Sequence, residues 1–196
     1  KGVSDEGLYA AYSRIIEAVG DNRLQVILYH IPQMSGLPIS LDLIDRLRAA
    51  FPQIVVGIKD SAGKLDNMRA MIERFPGFAV LAGADPLLLP LMQMGGAGCI
   101  TATSNIVARD LGTVFRSAND PSQAEPVARA QDRINAWRNL SNSYVQIPTI
   151  KAMVAHLHGD AGWPRTRPPL VPLNPAELAE LAPQLAALTA PTAGAL

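Results

Sequence analysis

The sequence has little cysteine and no excess of charge of either sign, and each shortage excludes a class of protein. A single cysteine, Cys99, excludes an internal disulfide and a cysteine-based zinc site. The 17 basic and 17 acidic residues give a formal net charge of zero, and without a basic stripe we expect no nucleic-acid partner. No apolar stretch approaches the roughly 20 residues that span a membrane. Since no His or carboxylate cluster has metal-ligand spacing, we expect no metal and no cofactor.

The composition is typical of a globular enzyme. Hydrophobic residues make up 48% of the 196 residues and charged residues only 17%. No secretory signal opens the sequence, so the cytoplasm is the expected location. The chain starts at Lys1 and enters a helix signal at once, with Ser4 as a capping residue. We interpret this opening as that of a chain cut within a domain.

Four strand–helix units follow one another in the first part of the chain. The predicted strands are the short apolar runs 24–29, 54–58, 78–82 and 98–103, each followed by a helical pattern. The runs are apolar on both faces, as expected for a parallel sheet covered by helices. Consecutive βα units form either an open doubly wound sheet or a closed barrel, and periodicity leaves both open. Four units would be half of an eight-stranded barrel, which takes about 250 residues.

The rest of the chain has a helical pattern only. Asp120 and Pro148 precede or open two helices, and Asn174 caps the last one, with Glu177 placed to complete a capping box. We therefore predict two regions, a βα region over residues 1–118 and a helical region over residues 119–196.

Lys59 is the most informative residue, because it directly follows the second predicted strand. A charged side chain in such a place is costly unless it is paired or neutralised. Desolvation favours the free amine of a lysine, which is the form that attacks a carbonyl carbon to make an imine. The alternative interpretation is an ordinary lysine at a strand end, which reaches water or pairs with Asp60.

Tyr29 ends the preceding strand, one βαβ unit before Lys59. In a parallel sheet the two side chains emerge at the same edge on neighbouring strands. A phenol there can carry a proton to or from a carbinolamine or a substrate oxygen. The alternative is an aromatic residue at the edge of the core whose hydroxyl contacts water.

Several motifs, in order, carry a resemblance to a known family. They are YHIPQMSG at 29–36, GIKDSAG at 57–63, GAD at 83–85 with GGAGCITATSN at 95–105, and RPPLVPLN at 167–174. Together they resemble the dihydrodipicolinate synthase / N-acetylneuraminate lyase family of Schiff-base-forming class I aldolases. The resemblance covers essentially the whole chain and the C-terminal two-thirds of the family's length. It implies a TIM (β/α)8 barrel, here only about its second half (strands 5–8), with a C-terminal helical extension.

The resemblance also implies site residues. Lys59 would form the Schiff base with pyruvate or a related 2-oxo acid, and Tyr29 would be the proton relay. The candidate substrate-binding residues are Gly57, Ser61, Gly83, Asp85, Thr101, Ala102 and His30. For Asp85 the alternative is a helix N-cap, and for Ser61 it is a residue that only completes the turn after the strand. His30 stands where many members have asparagine, and its alternative is a place behind the substrate-contacting groups.

The sequence departs from the resemblance at Met34. Members that make dihydrodipicolinate carry an arginine there, five residues after the tyrosine, which holds a carboxylate of the second substrate. A thioether cannot replace a bidentate carboxylate clamp. The resemblance therefore favours aldol cleavage or condensation, or dehydration, of a 2-oxo-3-deoxy sugar acid. Dihydrodipicolinate synthase is the alternative within the family.

A second departure is the lack of the Gly-Thr-Thr-Gly-Glu-like segment of the family's early strands, which binds the 2-oxo acid carboxylate. Without those strands the partial barrel has edge strands with unpaired backbone N–H and C=O groups. A non-catalytic truncated barrel that serves as an assembly module is therefore a further hypothesis. The partners expected of an enzyme are a 2-oxo acid and an aldehyde or sugar acid, with no nucleic acid and no membrane. By resemblance we also expect a homodimer or homotetramer.

Overall fold

Strands and helices alternate in the first half of the chain, and the regular structure of the second half, up to residue 190, is helical. The computed structural model describes residues 2–190. The strands are β1 (Val26–His30), β2 (Val55–Asp60), β3 (Ala79–Ala82) and β4 (Gly98–Cys99). The α-helices are α1 (Asp5–Val19), α2 (Pro32–Ser35), α3 (Leu41–Ala50), α4 (Leu65–Arg74), α5 (Leu88–Gln93), α6 (Ser104–Ser117), α7 (Ala124–Ser141), α8 (Gln146–His158) and α9 (Pro175–Thr189). Short 3₁₀ turns, Asp85–Leu87 and Pro121–Gln123, lead into α5 and α7.

The chain divides into two compact units, with the division between residues 100 and 101. The first unit holds the four strands and helices α1 to α5. The second unit holds α6 to α9 and, among the residues described, no strand. The boundary between sequence regions after residue 118 stays a prediction. Nowhere in residues 2–190 is a helix both long enough and apolar enough to cross a bilayer.

The four strands form one parallel sheet in the order β1-β2-β3-β4, which confirms the predicted series of parallel βα units. Tyr29 of β1 pairs with Lys59 of β2. The register shifts near the start of this pair, because Val26 pairs with Val55 whereas the next residue, Ile27, pairs with Gly57. One extra residue of β2 is thus accommodated there, as in a β-bulge.

One face of the sheet carries the core of the first unit. Leu28, Ile58 and Val80 lie on this covered face and are at most 1% exposed. The helix residues of the same core are Ile16, Leu43, Ile44, Leu47, Met68, Met71 and Phe75. On the opposite, open face Ile27 is 45% exposed and Tyr29 is 47% exposed. Both residues of β1 on this face are therefore accessible in the part of the chain that the structure describes.

The helix starts follow the predicted capping signals. Ser4 Oγ accepts a hydrogen bond from the backbone N–H of Gly7 at 3.3 Å and caps α1. Asn174 and Glu177 form a complete capping box at the start of α9, with hydrogen bonds of 2.8 and 2.9 Å. Each such cap satisfies backbone N–H groups that have no partner within the helix, and typically contributes about 1 kcal/mol.

Two predicted strand boundaries are wrong in ways that matter for the site. β2 continues two residues beyond the apolar run, so Lys59 lies inside the strand rather than after it. β4 ends at Cys99 instead of continuing to residue 103. The reason is a polar turn: Ser104 Oγ donates to the carbonyl oxygen of Thr101 at 2.6 Å, and α6 begins at Ser104. Side chains that bond to nearby backbone compete with a strand ladder in this way.

Candidate active site

Lys59 and Tyr29 lie side by side on the open face of the sheet. They are register partners in β1 and β2, and Lys59 Nζ lies 4.2 Å from the centroid of the Tyr29 ring. An ammonium group at this distance is attracted to the electron-rich face of the ring. Lys59 is half-buried and Tyr29 is exposed, so a small molecule can reach both. The two residues predicted to be catalytic are therefore neighbours in the structure.

The surroundings of Tyr29 lower the pKa of its phenol below the ordinary value for tyrosine. A hydrogen bond with the Ser61 side chain has the largest effect. Partial burial opposes it, and hydrogen bonding and the positive charge of Lys59 lower the pKa further. A lower pKa brings the phenol closer to the working range of a group that both takes and returns a proton.

Two glycines allow the strands and the turn beside Lys59 to approach closely. A Cβ at Gly83 would lie 2.0 Å from Ser61 Oγ and 2.9 Å from the carbonyl oxygen of Asp60. A Cβ at Gly57 would lie 2.6 Å from the carbonyl oxygen of Ala79. Neither distance is sterically possible, so both positions require glycine for packing. Their predicted part in binding a substrate stays a prediction.

Asp60 lies on the covered face, directly behind the site, and is fully buried. Its Oδ1 accepts from the backbone N–H of Ala62 at 2.7 Å, and its Oδ2 accepts from Asn67 Nδ2 at 2.6 Å. Successive strand residues point to opposite faces, so the Asp60 carboxylate is turned away from Lys59. The alternative in which Lys59 pairs with Asp60 is therefore wrong. Nothing in the sequence pattern had pointed to Asn67.

His30 also lies on the covered face and is only 6% exposed. Its Nδ1 accepts from the backbone N–H of Ile39 at 3.0 Å. A nitrogen that accepts is unprotonated, so in the neutral ring the proton is on Nε2. This placement fits the alternative given for His30, a residue behind the substrate-contacting groups.

Asp85 is fully buried and begins a 3₁₀ turn rather than capping a helix. The N-cap residue is Ala84, and no side chain caps this turn. The capping alternative for Asp85 is therefore wrong.

Burial, helped by the charge of Asp85, raises the pKa of the Cys99 thiol to about 11. Cys99 is thus a protonated thiol at neutral pH.

Thr101 and Ala102 belong to the second unit, where they shape the start of α6. Thr101 Oγ1 and Ser104 Oγ are hydrogen-bonded at 2.8 Å. The carbonyl oxygen of Ala102 accepts from Asn105 Nδ2 at 2.8 Å. Within the described range 2–190, no three His, Cys, Asp or Glu residues are grouped so that they could hold a metal ion.

Consecutive βα units in one parallel sheet, with the lysine and the tyrosine near the carboxyl ends of neighbouring strands, define part of a (β/α)8-barrel enzyme scaffold. The sequence pattern of the Dihydrodipicolinate synthetase family matches residues 1–188. The chain belongs to this family, as its motifs predicted.

The similar proteins are longer than this chain. An uncharacterized DapA-like lyase of Chloroflexus aurantiacus is 33% identical over 181 residues, which are 92% of this chain and 59% of that protein. The crystal structure of dihydrodipicolinate synthase from Agrobacterium tumefaciens is 28% identical with a TM-score of 0.80, and the match covers 97% of this chain and 63% of that one. YagE of E. coli K12, in complex with pyruvate, has a TM-score of 0.84 at 24% identity, over 96% of this chain and 63% of its own, and shows the fold alone. The chain therefore spans about 60% of these proteins' length and is a partial (β/α)8 barrel, as predicted.

Proposed function

We propose that this chain carries the nucleophile of a lyase that acts on a 2-oxo acid through a Schiff base at Lys59, with Tyr29 as the proton relay. The observation that carries the proposal is the register pairing of these two residues, with Lys59 Nζ 4.2 Å from the Tyr29 ring centroid. Membership of the Dihydrodipicolinate synthetase family supports it. Because the chain spans about 60% of its relatives' length, the activity of the whole protein is part of the proposal.

The chemistry needs an amine and one group that moves protons. The neutral amine of Lys59 attacks the carbonyl carbon of the 2-oxo acid and gives a carbinolamine. The nitrogen loses a proton, the hydroxyl gains one and leaves as water, and an imine results. The Tyr29 phenol accepts and returns these protons, a role that its lowered pKa supports. The imine then withdraws electrons from the neighbouring carbon and so eases aldol cleavage or loss of a hydroxyl group.

We assign the substrate to the 2-oxo-3-deoxy sugar acids. Met34, in α2, is 79% exposed and offers no charge to a carboxylate. A synthase that condenses pyruvate with aspartate semialdehyde needs a cation to hold the second carboxylate. Dihydrodipicolinate synthase is the second candidate, because a curated 4-hydroxy-tetrahydrodipicolinate synthase of Methanococcoides burtonii is 33% identical over 171 residues. Condensation with aspartate semialdehyde, compared with cleavage of sugar acids, distinguishes the two.

Cellular context completes the proposal. On the family resemblance we propose a cytoplasmic enzyme that assembles as a homodimer or homotetramer. The contrasting hypothesis is a non-catalytic partial barrel that acts as an assembly module, and it predicts no adduct with any 2-oxo acid.

The test is reductive trapping with pyruvate, the ligand held by YagE. The chain is incubated with pyruvate and borohydride, and the adduct is mapped by peptide mass spectrometry. We expect modification of Lys59, complete loss in Lys59→Ala, and no change in Lys64→Ala. Lys64 is a matched control because it is an exposed lysine five residues further along the chain.

A folded chain that gives no adduct would contradict the proposal for this chain. The same test on a chain extended at its N-terminus then separates two explanations. An adduct only in the extended chain means that further strands are indispensable, whereas no adduct in either favours the assembly module.

A further inference from the structure

Buried Asp60 and half-buried Asn67 form a hydrogen-bonded pair directly behind Lys59. Asp60 follows Lys59 in β2, and Asn67 lies in the first turn of α4. Asp60 Oδ2 accepts from Asn67 Nδ2 at 2.6 Å, and Oδ1 accepts from the backbone N–H of Ala62 at 2.7 Å. A buried carboxylate is costly unless hydrogen bonds compensate its lost hydration. This carboxylate sits next to the proposed nucleophile, where an apolar residue would cost less.

The pair fixes the turn that carries Ser61. The bond to Ala62 holds the backbone on the far side of Ser61, and the bond to Asn67 ties the end of β2 to α4. The Asp60 carbonyl oxygen accepts from the N–H of Gly83 at 2.7 Å, and the N–H of Ser61 donates to the carbonyl oxygen of His30 at 2.8 Å. The ends of β1, β2 and β3 are therefore joined at the level of this turn.

We propose that Asp60 and Asn67 are positioning residues, which hold Lys59 and Ser61 in place against Tyr29. The inference rests on the proposed function and deepens it, because it names the groups that set the geometry of the same site. Ser61 packs so closely against Gly83 that a Cβ at position 83 would overlap it. A displacement of the turn therefore moves the Ser61 hydroxyl away from the Tyr29 phenol and shifts Lys59 in the strand. Misplacement of reacting groups by about 1 Å can slow a reaction on the order of 100-fold.

The decisive variant is Asn67→Asp, which sets two carboxylates face to face at the 2.6 Å contact. Like charges at that distance repel and force the turn apart, unless one carboxylate takes up a proton. The double variant Asp60→Asn/Asn67→Asp restores one amide donor and one carboxylate acceptor in exchanged positions. Asp66→Asn is the matched control, because Asp66 is an exposed carboxylate in the same helical turn. Asn67→Ala removes the donor without adding charge and replaces Asn67→Asp if that variant does not fold.

Two readouts are measured on folded protein, well below the melting temperature. The first is the rate of borohydride-trapped adduct formation with pyruvate, as a function of pH. The second, which needs no pyruvate, is the titration of the Tyr29 phenol by ultraviolet absorbance, taken as the difference from Tyr29→Phe. In Asn67→Asp we expect the adduct rate to fall roughly 10- to 100-fold. The pKa of the Tyr29 phenol rises because Ser61 moves away.

Both readouts return close to wild type in the double variant and do not change in Asp66→Asn. The proposal is overturned if folded Asn67→Asp, or Asn67→Ala in its place, keeps the wild-type Tyr29 titration and adduct rate and loses only thermal stability. That result would mean a purely structural turn. If the unaltered chain forms no adduct, the proposed function of this chain fails, and the Tyr29 titration alone still decides whether the pair positions the site.

Discussion

The two faces of the sheet are built from the same strands but differ in burial and in the chemistry of their side chains. On the covered face Ile58 is fully buried in the core, and Asp60 has both carboxylate oxygens hydrogen-bonded. On the open face Lys59 and Tyr29 contact each other and remain accessible. Because strand side chains alternate between faces, one step along β2 leads from a residue that holds the fold to the proposed nucleophile on the open face. Stability and the proposed chemistry are therefore separable by substitutions at adjacent positions.

The largest effect on stability is expected on the covered face. Ile58→Ala removes a fully buried side chain, and we expect the free energy of unfolding to fall by about 2–5 kcal/mol. Chemical denaturation measures it. In Lys59→Ala, which removes a half-buried side chain and its contact with the Tyr29 ring, the free energy of unfolding should fall by about 1 kcal/mol at most. An equal loss of unfolding free energy in the two variants would show that the two faces do not differ in their contribution to stability.

The next largest effect is expected on the rate of adduct formation, from a substitution on the open face. Tyr29→Phe removes the phenol oxygen while keeping the ring that lies beside Lys59 Nζ. Loss of a positioned acid–base group typically slows proton transfer by about 100-fold or more. We expect trapped-adduct formation with pyruvate to slow by that factor, while the melting temperature stays close to wild type. An unchanged rate would remove Tyr29 from the proposed relay.

A smaller effect on stability is expected from a residue on the open face of β1. Ile27 is 45% exposed on the open face, so Ile27→Ala should lower the free energy of unfolding by only about 1 kcal/mol. The measurement is denaturant unfolding alongside Ile58→Ala. A loss as large as that of Ile58→Ala would show that another chain or segment covers the open face in solution.

The smallest effect is on a titration. Ser61→Ala deletes the hydrogen bond that contributes most to the lowered pKa of Tyr29. That bond favours the phenolate, so its loss should raise the pKa, and any step that needs the phenolate should shift to higher pH. The ultraviolet absorbance of the phenolate, taken against Tyr29→Phe, reports the change. A pKa that falls or stays constant would show that Ser61 does not act on Tyr29.

The parts of the fold that depend on apolar runs and caps were predictable. The runs around Ile58 and Val80 predicted parallel strands, and Ser4 and Asn174 predicted helix starts that the structure confirms. The site pair was predictable too, because residues one βα unit apart on parallel strands emerge together. The end of β4 was missed, since the competing hydrogen bond of Ser104 overrides an apolar run that looks like a strand.

The support behind the site was not predictable. The sequence offered Asp60 as a partner for Lys59, because the end of the apolar run hid the fact that β2 continues through Asp60. Asn67 lies in a helical turn with mostly polar neighbours and carries no motif of its own. Only the direction of the two side chains shows that they meet, and residue spacing does not specify that direction.

The register shift at the start of β1 and β2 has a consequence for how such a site can change. Had Val56 paired with Ile27 in continuation of the Val26–Val55 pair, Tyr29 would stand opposite Ile58 and Lys59 opposite His30. The lysine would then share a level with a histidine of the core. A single inserted residue, some distance from any reacting atom, thus works as a spacer that brings phenol and amine to the same level. A shift of the pairing by one residue there would separate the phenol from the amine while leaving both side chains in the sequence.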